Sequence, residues 1–145
     1  VPVLIDMAYF GMCHDIEIDL SHKCIEEVTF SLGKTFPIIG ARAGMRLQKT
    51  DVDDPVLFAN QHGIVNNFGA MIGLTCIESW DSDFIVRKYK DTQLQVCDAL
   101  GVEATKCIIF ATSEKEEWQT LNRGNKSSRL CIAEDIIIHH DKDCN

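Results

Sequence analysis

Residues 28–44 read VTFSLGKTFPIIGARAG, an apolar, β-rich run followed by small residues around one lysine and one arginine. Lys34 lies at the predicted end of the strand. Arg42 follows between Gly40 and Gly44, and these glycines are typical of turns that interrupt regular secondary structure. A lysine held at a strand end in an apolar setting can lose its proton near neutral pH, and the neutral amine condenses with an aldehyde to a Schiff base. The guanidinium suits a phosphate. The stretch predicts a reactive lysine beside an anion-binding arginine.

A second apolar run covers residues 1–5 and ends directly at Asp6. A continuous apolar run of this length is typical of a strand that a parallel sheet buries on both faces. Ligands of open α/β sheets bind outside the carboxyl ends of the strands, so Asp6 and Tyr9 are candidate site residues. The next strands are predicted at residues 25–31 and 40–47. Their connection is too short for a parallel crossover, which makes the third strand antiparallel to the second.

Taken together, these motifs resemble those of the pyridoxal-phosphate (PLP) aminotransferases of the class I/II, aspartate-aminotransferase-like superfamily, which has fold type I. The matching positions form two groups with the family spacing and one single residue. They are Asp6, Ala8, Tyr9 and Gly11; Ser31 and Lys34; and Arg42. The segment Ser128–Ala133 is similar to the family segment whose arginine grips the substrate α-carboxylate. The resemblance runs from Val1 to about Ala133.

The resemblance implies a role for each matched side chain. Lys34 forms the aldimine with PLP and later moves a proton on the substrate. The remaining roles are pairing with the pyridine nitrogen for Asp6, a hydrogen bond to the ring hydroxyl for Tyr9, phosphate binding for Ser31 and Arg42, and carboxylate binding for Arg129. The implied reaction transfers an amino group from an amino acid to a 2-oxo acid, and these two small molecules are the expected partners.

The implied fold class is α/β. We expect a partial PLP-transferase-like fold, in which a remnant of the large-domain sheet, two parallel strands plus one antiparallel, precedes a small α+β C-terminal domain. The expected domains are residues 1–53 for the PLP-binding part with the lysine hairpin, 54–81 for connecting helices, 82–133 for the small domain and 134–145 for a tail.

The second half of the chain has helical patterns with clear boundaries. Asp54 followed by Pro55 predicts a helix start, and that helix runs to about Gln61. Further helices are predicted at residues 66–77, 83–100 and 114–121, with Gly101 ending the long one. Strands are predicted at residues 107–112 and 129–133. Residues 14–24 alternate apolar and acidic side chains, which propensity reads as a strand and the family resemblance as a loop or short helix.

Members of the resembling family are much longer, and the chain opens in a predicted strand without an initiator methionine. We therefore expect the C-terminal portion of an aminotransferase, as a partial reading frame or a truncated relative. Two alternatives stay open: a non-catalytic remnant or interaction module of the same fold, and a PLP-dependent lyase or decarboxylase.

Composition restricts the partners. The 145 residues are 46% hydrophobic and 25% charged with a net charge of −8, which argues against a nucleic-acid partner. Seven cysteines without a CxxC pair favour a reducing cytosol, so a cytoplasmic location is expected. No apolar stretch has membrane-spanning length. An apolar strand edge at residues 1–5 predicts a homo-oligomer, because unpaired edges self-associate.

Five of the six candidates also have a simpler structural explanation. Asp6 could end a strand or cap a turn, Tyr9 could be a half-buried aromatic and Ser31 a turn residue. Lys34 or Arg129 could be a surface charge. Residues 139–144 contain His, Asp and Cys, but adjacent histidines diverge in an extended chain, so no metal site is predicted there and a solvated tail is preferred. A thiolate pair between Cys13 and His14 is not favoured either.

Overall fold

The computed structural model describes residues 1–36 and 38–143. Pro37 of the lysine stretch, Cys144 and Asn145 of the expected tail, and the side chain of Asp143 lie outside the described part. The chain divides into two compact units. The first, called the lysine unit, contains residues 1–11 and 17–82, and the second, called the helix-sheet unit, contains residues 12–16 and the chain from Asp83 onward.

The lysine unit contains a three-stranded mixed sheet. Its strands are β1 (Val3–Asp6), β2 (Ile25–Ser31) and β3 (Gly44–Gln48), in the order β1-β2-β3. Strand β1 runs parallel to β2, with Asp6 opposite Thr29. Strand β3 runs antiparallel to β2, with Gly44 opposite Ser31. The predicted combination of one parallel pair and one antiparallel strand is confirmed.

Two details of this unit differ from the prediction, and a third decides between two interpretations left open. The run before Asp6 was expected to be buried on both faces, but Leu4 is 54% exposed. The third strand begins at Gly44 because a single helical turn, α1 (Leu32–Thr35), and a 3-10 helix, Ile39–Ala41, occupy the connection. Residues 14–24, of which 14–16 belong to the helix-sheet unit, are all described and none belongs to a strand or helix, so they form a loop and not a strand.

Two further helices complete the lysine unit. Helix α2 (Pro55–Gln61) starts as predicted: the Asp54 carboxylate accepts hydrogen bonds from the backbone N–H groups of Val56 and Leu57 at 2.8 and 2.9 Å. Helix α3 (Asn67–Ser79) corresponds to the helix predicted at residues 66–77, and Asn66 is its N-cap. Its glycines are buried at close contacts, and a Cβ at Gly69 would collide with the carbonyl oxygen of Ala41.

The helix-sheet unit combines two helices with an antiparallel sheet. Helix α4 (Phe84–Leu100) ends at Gly101, whose φ of 61° is left-handed as a helix stop requires. The sheet has the order β4-β5-β6 and both pairings are antiparallel. Its strands and the last helix are β4 (Glu103–Ala104), β5 (Phe110–Ser113), β6 (Ser128–Cys131) and α5 (Ala133–Asp143).

Several predicted bounds shift in this unit. Strand β5 begins three residues later than predicted, and the expected helix at residues 114–121 is a 3-10 helix, Glu116–Leu121. A solvated tail from residue 134 was wrong, because α5 forms there and its Ile136 is only 3% exposed. The apolar spacing of residues 133–138 was the available signal. Within the described residues, no helix combines the length and apolar character that crossing a membrane requires.

Candidate functional site

Lys34 lies on α1, one turn beyond the end of β2. Its ammonium Nζ donates a hydrogen bond to the hydroxyl of Tyr9 at 3.1 Å and lies 4.5 Å from the centre of that ring. The residue is exposed. The burial of the amine expected from the sequence is therefore not observed, and the contact with Tyr9 is what orients it.

The parallel pairing of β1 and β2 explains why Lys34 and Tyr9 meet. Both residues follow the carboxyl end of a strand, and parallel neighbours place those ends at one edge of the sheet. Twenty-five positions separate the two residues in sequence, yet the topology brings their polar ends into contact.

A cavity of about 430 Å³ opens at this edge of the lysine unit. Ser31, Lys34 and Arg42 line it together, so three of the predicted site residues share one space. The other walls are small or apolar: Ala8, Phe30, Gly33, Ile39, Ala43 and Gly44. An amine, a hydroxyl and a guanidinium around a common space are a donor set for an anionic ligand.

Arg42 has a left-handed backbone, with φ at 51°, which is uncommon for a residue other than glycine. The neighbouring chain is held in place by Asn66, whose Nδ2 donates to the Ala41 carbonyl at 2.8 Å. Its Oδ1 accepts from the N–H of Gly69 at 2.9 Å. One side chain thus caps α3 and anchors the loop that presents Arg42.

Sequence reasoning placed Asn66 at a helix start but missed its bond to Ala41. The N-cap signal was visible, since asparagine is a preferred cap. The second contact joins residues 25 positions apart and depends on the packing of α3 against the 3-10 helix Ile39–Ala41. No local pattern encodes that packing.

Asp6 ends β1 at the same edge, as predicted. Its Oδ1 accepts a hydrogen bond from the backbone N–H of Ala8 at 2.9 Å, which closes a turn after the strand. Asp6 is exposed and is not among the residues that line the cavity. This geometry corresponds to the simpler explanation, a turn-capping aspartate.

Arg129 belongs to the helix-sheet unit and is described within it. It lies on β6 opposite Thr112, is exposed, and its guanidinium carbon is 4.6 Å from the centre of the Phe110 ring. A guanidinium over an aromatic face is a cation–π contact, which holds the side chain flat while leaving its N–H donors available.

The residues of the cavity fit two ends of a PLP molecule. The volume lies within the range of about 300–1,000 Å³ typical of small-molecule sites. Lys34 would supply an amine for the aldehyde, and Arg42 with Ser31 would supply donors for the phosphate. The third predicted residue, Asp6, does not line this cavity, and its Oδ1 accepts the hydrogen bond from the Ala8 N–H.

The described residues do not form a metal site. In residues 1–36 and 38–143, no group of three or more His, Cys, Asp or Glu side chains is placed to hold a metal ion. Of the residues at 139–144, His140 packs against the Tyr89 ring with centroids 5.0 Å apart, which is a packing contact.

Comparison with protein-family models found no match to this chain, and comparison with curated proteins found none either.

Proposed function

We propose that the lysine unit is the cofactor-binding part of a PLP-dependent aminotransferase, with the partial PLP-transferase-like fold that the sequence motifs imply. One observation carries the proposal: Ser31, Lys34 and Arg42 line the same cavity, and the amine of Lys34 contacts the hydroxyl of Tyr9. The three motifs that contribute these residues are separate in sequence, and they meet at one edge of the sheet.

Arg42 and Ser31 are the proposed phosphate-binding pair. A guanidinium offers two parallel N–H donors to a phosphate, and such charge-assisted bonds are about twice as strong as neutral ones. Asn66 positions Arg42 through the Ala41 carbonyl. The side chain is therefore presented from a fixed loop, which reduces the entropy lost on binding.

Lys34 is the proposed covalent attachment point and the proton carrier. Its Nζ already points at Tyr9, whose hydroxyl accepts a hydrogen bond and holds the amine near the cavity. When bound, PLP supplies an electron sink for breaking bonds at the substrate Cα. Lys34 would then hold or move a proton at that carbon, and Tyr9 would keep its amine oriented.

Asp6 and Arg129 are the two remaining residues of the proposed site. Asp6 is proposed to pair with the cofactor ring nitrogen through Oδ2, because the bond from the Ala8 N–H uses only Oδ1. Arg129 is proposed to bind the carboxylate of the amino acid or the 2-oxo acid. The same residue set would also serve a PLP-dependent lyase or decarboxylase.

A non-catalytic module of the same fold is the second candidate. The observation in its favour is the turn contact of Asp6, together with the exposure of Lys34. A chain that keeps the fold without cofactor chemistry would use both residues only structurally.

Titration with PLP separates the two candidates. We expect the wild-type chain to develop a visible absorption band, and borohydride reduction to fix the cofactor mass on the peptide that contains Lys34. Lys34→Ala should lose both signals, whereas Lys23→Ala, at an exposed lysine of the same unit, should retain them. A folded wild-type chain without the band, or equal labelling of both lysines, supports the non-catalytic module.

The phosphate contact has its own test. Arg42→Gln should weaken PLP binding by about 10- to 100-fold, the loss expected for one charge-assisted contact. Binding of pyridoxal, which lacks the phosphate, should stay the same in both proteins. An equal loss for the two ligands would show that Arg42 acts on the fold of the cavity and not on the phosphate.

Self-association is proposed as well. Helix α3 exposes Phe68 and Met71, at 72% and 67%, and large exposed apolar side chains favour association. Size-exclusion chromatography with light scattering should give a homodimer or larger species. A monomer that persists at high concentration contradicts this part of the proposal.

A further inference from the structure

Cys13 and Cys107 face each other in the helix-sheet unit. They form an isolated antiparallel bridge, flanked by hydrogen bonds from His14 N–H to the Lys106 carbonyl at 2.9 Å and from Ile108 N–H to the Met12 carbonyl at 2.8 Å. Because both bonds involve the neighbours of the cysteines, this is a non-hydrogen-bonded pair, the type with the closer side chains.

This pairing has the spacing of a disulfide. Non-hydrogen-bonded antiparallel pairs have Cα atoms about 4.5 Å apart. Disulfides bridge Cα atoms that are roughly 4.4–6.8 Å apart. Both residues are free thiols, half-buried, and their side chains are in hydrogen-bond contact. The register of the bridge therefore places the two thiols opposite each other.

We propose that Cys13 and Cys107 form a reversible disulfide with each other. The oxidant is a low-molecular-weight disulfide such as oxidised glutathione. The Cys13 thiolate attacks one glutathione sulfur and releases one glutathione thiolate. The Cys107 thiolate then attacks the Cys13 sulfur of the mixed disulfide and releases the second. Two protein thiols are oxidised, one glutathione disulfide is reduced, and the two thiol protons leave with the two glutathione molecules.

The hydrogen bond assigns the order of attack. Burial raises the pKa of both thiols, to about 12 for Cys107, while for Cys13 the hydrogen bond with Cys107 acts against this rise. Cys13 is therefore the easier of the two to deprotonate and the first to react. Since burial keeps both pKa values above the ordinary one, the rate should rise about tenfold per pH unit near neutrality.

The link would fix a segment that already docks through other contacts. Lys106 Nζ donates to the Asp15 carbonyl at 2.7 Å, and Lys90 lies 3.5 Å from the Asp15 carboxylate. The segment at residues 12–16 therefore stays in place when the thiols are reduced. Oxidation converts this docking into a covalent connection, independently of any cofactor in the lysine unit.

Non-reducing peptide mapping of the full chain tests the proposal. After incubation with oxidised glutathione at mildly alkaline pH, we expect one major cross-linked peptide that joins Cys13 to Cys107, an intact mass lower by two hydrogen atoms, and full reversal by dithiothreitol. Only glutathione adducts, unreacted thiols, or a major link between other cysteines would overturn the proposal. This measurement uses the wild-type chain, so it does not depend on the folding of a variant.

Matched serine variants sharpen the result. Cys131→Ser, at an exposed thiol of the same unit, should leave the yield of the link unchanged. In Cys13→Ser, Cys107 should form no link to another cysteine. Formation of such a link at the wild-type rate would overturn the proposal, because the pairing would then not depend on the bridge.

Discussion

The two units differ in how well they bury their apolar residues. The helix-sheet unit has a contiguous core in which Ile108, Ala111 and Ile132 are 0–1% exposed. The buried cluster of the lysine unit is formed by Met7, Ile25 and Val28, each 6–8% exposed. The candidate site lies in the less densely buried unit.

This difference follows from what each unit contains. The helix-sheet unit packs α4 and α5 with its sheet, and the apolar side chains of three elements interdigitate. In the lysine unit, the edge of the sheet that carries Lys34 opens into a cavity. Side chains beside this cavity lack packing partners on that side, so they are less completely buried. We infer that the helix-sheet unit is the more stable of the two.

The largest expected effect is the difference in destabilisation caused by an isoleucine-to-alanine substitution in each unit. Ile132→Ala should destabilise the helix-sheet unit by about 2–5 kcal/mol, because it removes a fully buried side chain from the core. Ile64→Ala, at a residue of the lysine unit that is 66% exposed, should change the free energy of unfolding by less than about 0.5 kcal/mol.

Two tryptophans allow each unit to be followed separately in urea. Trp118 packs against the core of the helix-sheet unit, and Trp80 belongs to the lysine unit, so Trp→Phe changes at one position isolate the other. Similar losses from the two isoleucine variants would contradict the difference in packing.

The second prediction concerns a buried polar side chain on α4. Gln93 is fully buried, and its Nε2 group lies within 3.0–3.1 Å of the carbonyl oxygens of Thr105, Cys107 and Phe110. Gln93→Leu removes this donor and should cost about 1–3 kcal/mol, mainly at the Thr105 carbonyl, because the Cys107 and Phe110 carbonyls keep the Thr105 hydroxyl as a partner. Gln95→Leu, at an exposed position of the same helix, is the control and should be nearly neutral. Equal losses would place the effect in the helix and not in the carbonyl contacts.

The third prediction concerns the close packing of α3 in the lysine unit. Gly69→Ala places a methyl group against the Ala41 carbonyl, which should destabilise the unit by about 1–2 kcal/mol after the gain in helix propensity. PLP binding should weaken in parallel, because Ala41 precedes Arg42. Gly40→Ala has open space around its Cβ and should leave both quantities unchanged. A stable Gly69→Ala variant would show that α3 moves away at little cost.

The sequence predicted the elements whose signals are local. The cap at Asp54, the stop at Gly101 and the strand Ile25–Ser31 all depend on residues within one turn or one strand. Short or irregular elements were missed for a physical reason. The single turn α1 and the 3-10 helix Ile39–Ala41 are stabilised by their contacts in the unit, while their own propensity is weak.

The site was predictable only as a set of residues. Spacing placed Ser31, Lys34 and Arg42 in motifs, and the structure brings all three to one cavity. The sequence could not reveal that Lys34 is exposed, that Asp6 closes its own turn, or that Asn66 donates a hydrogen bond to the Ala41 carbonyl. These features depend on which surfaces the other elements cover, and that is decided by packing over long sequence distances.

The smallest expected effect lies at the junction of β3 and α2 in the lysine unit. Asp54 pairs with Arg46 at 2.9 Å while it caps α2. The hydrogen bond from Arg46, followed by the backbone N–H of Leu57, lowers the pKa of Asp54 from 3.8 to about 2. Because the folded-state pKa is lowered, the stabilisation is complete above about pH 4 and is lost as the pH falls through about 2.

Asp54→Asn isolates this contribution, since asparagine still accepts the cap hydrogen bonds but carries no charge for Arg46. We expect the thermal midpoint to fall by about 1–3 °C at pH 7 relative to wild type, and the difference to shrink towards pH 2. Added salt should reduce it as well. Asp53→Asn, at an exposed neighbour outside the cap, should not change the midpoint. If the difference between wild type and Asp54→Asn stayed constant down to pH 2, it would not depend on the charge of the carboxylate, and the ion pair with Arg46 would contribute nothing measurable.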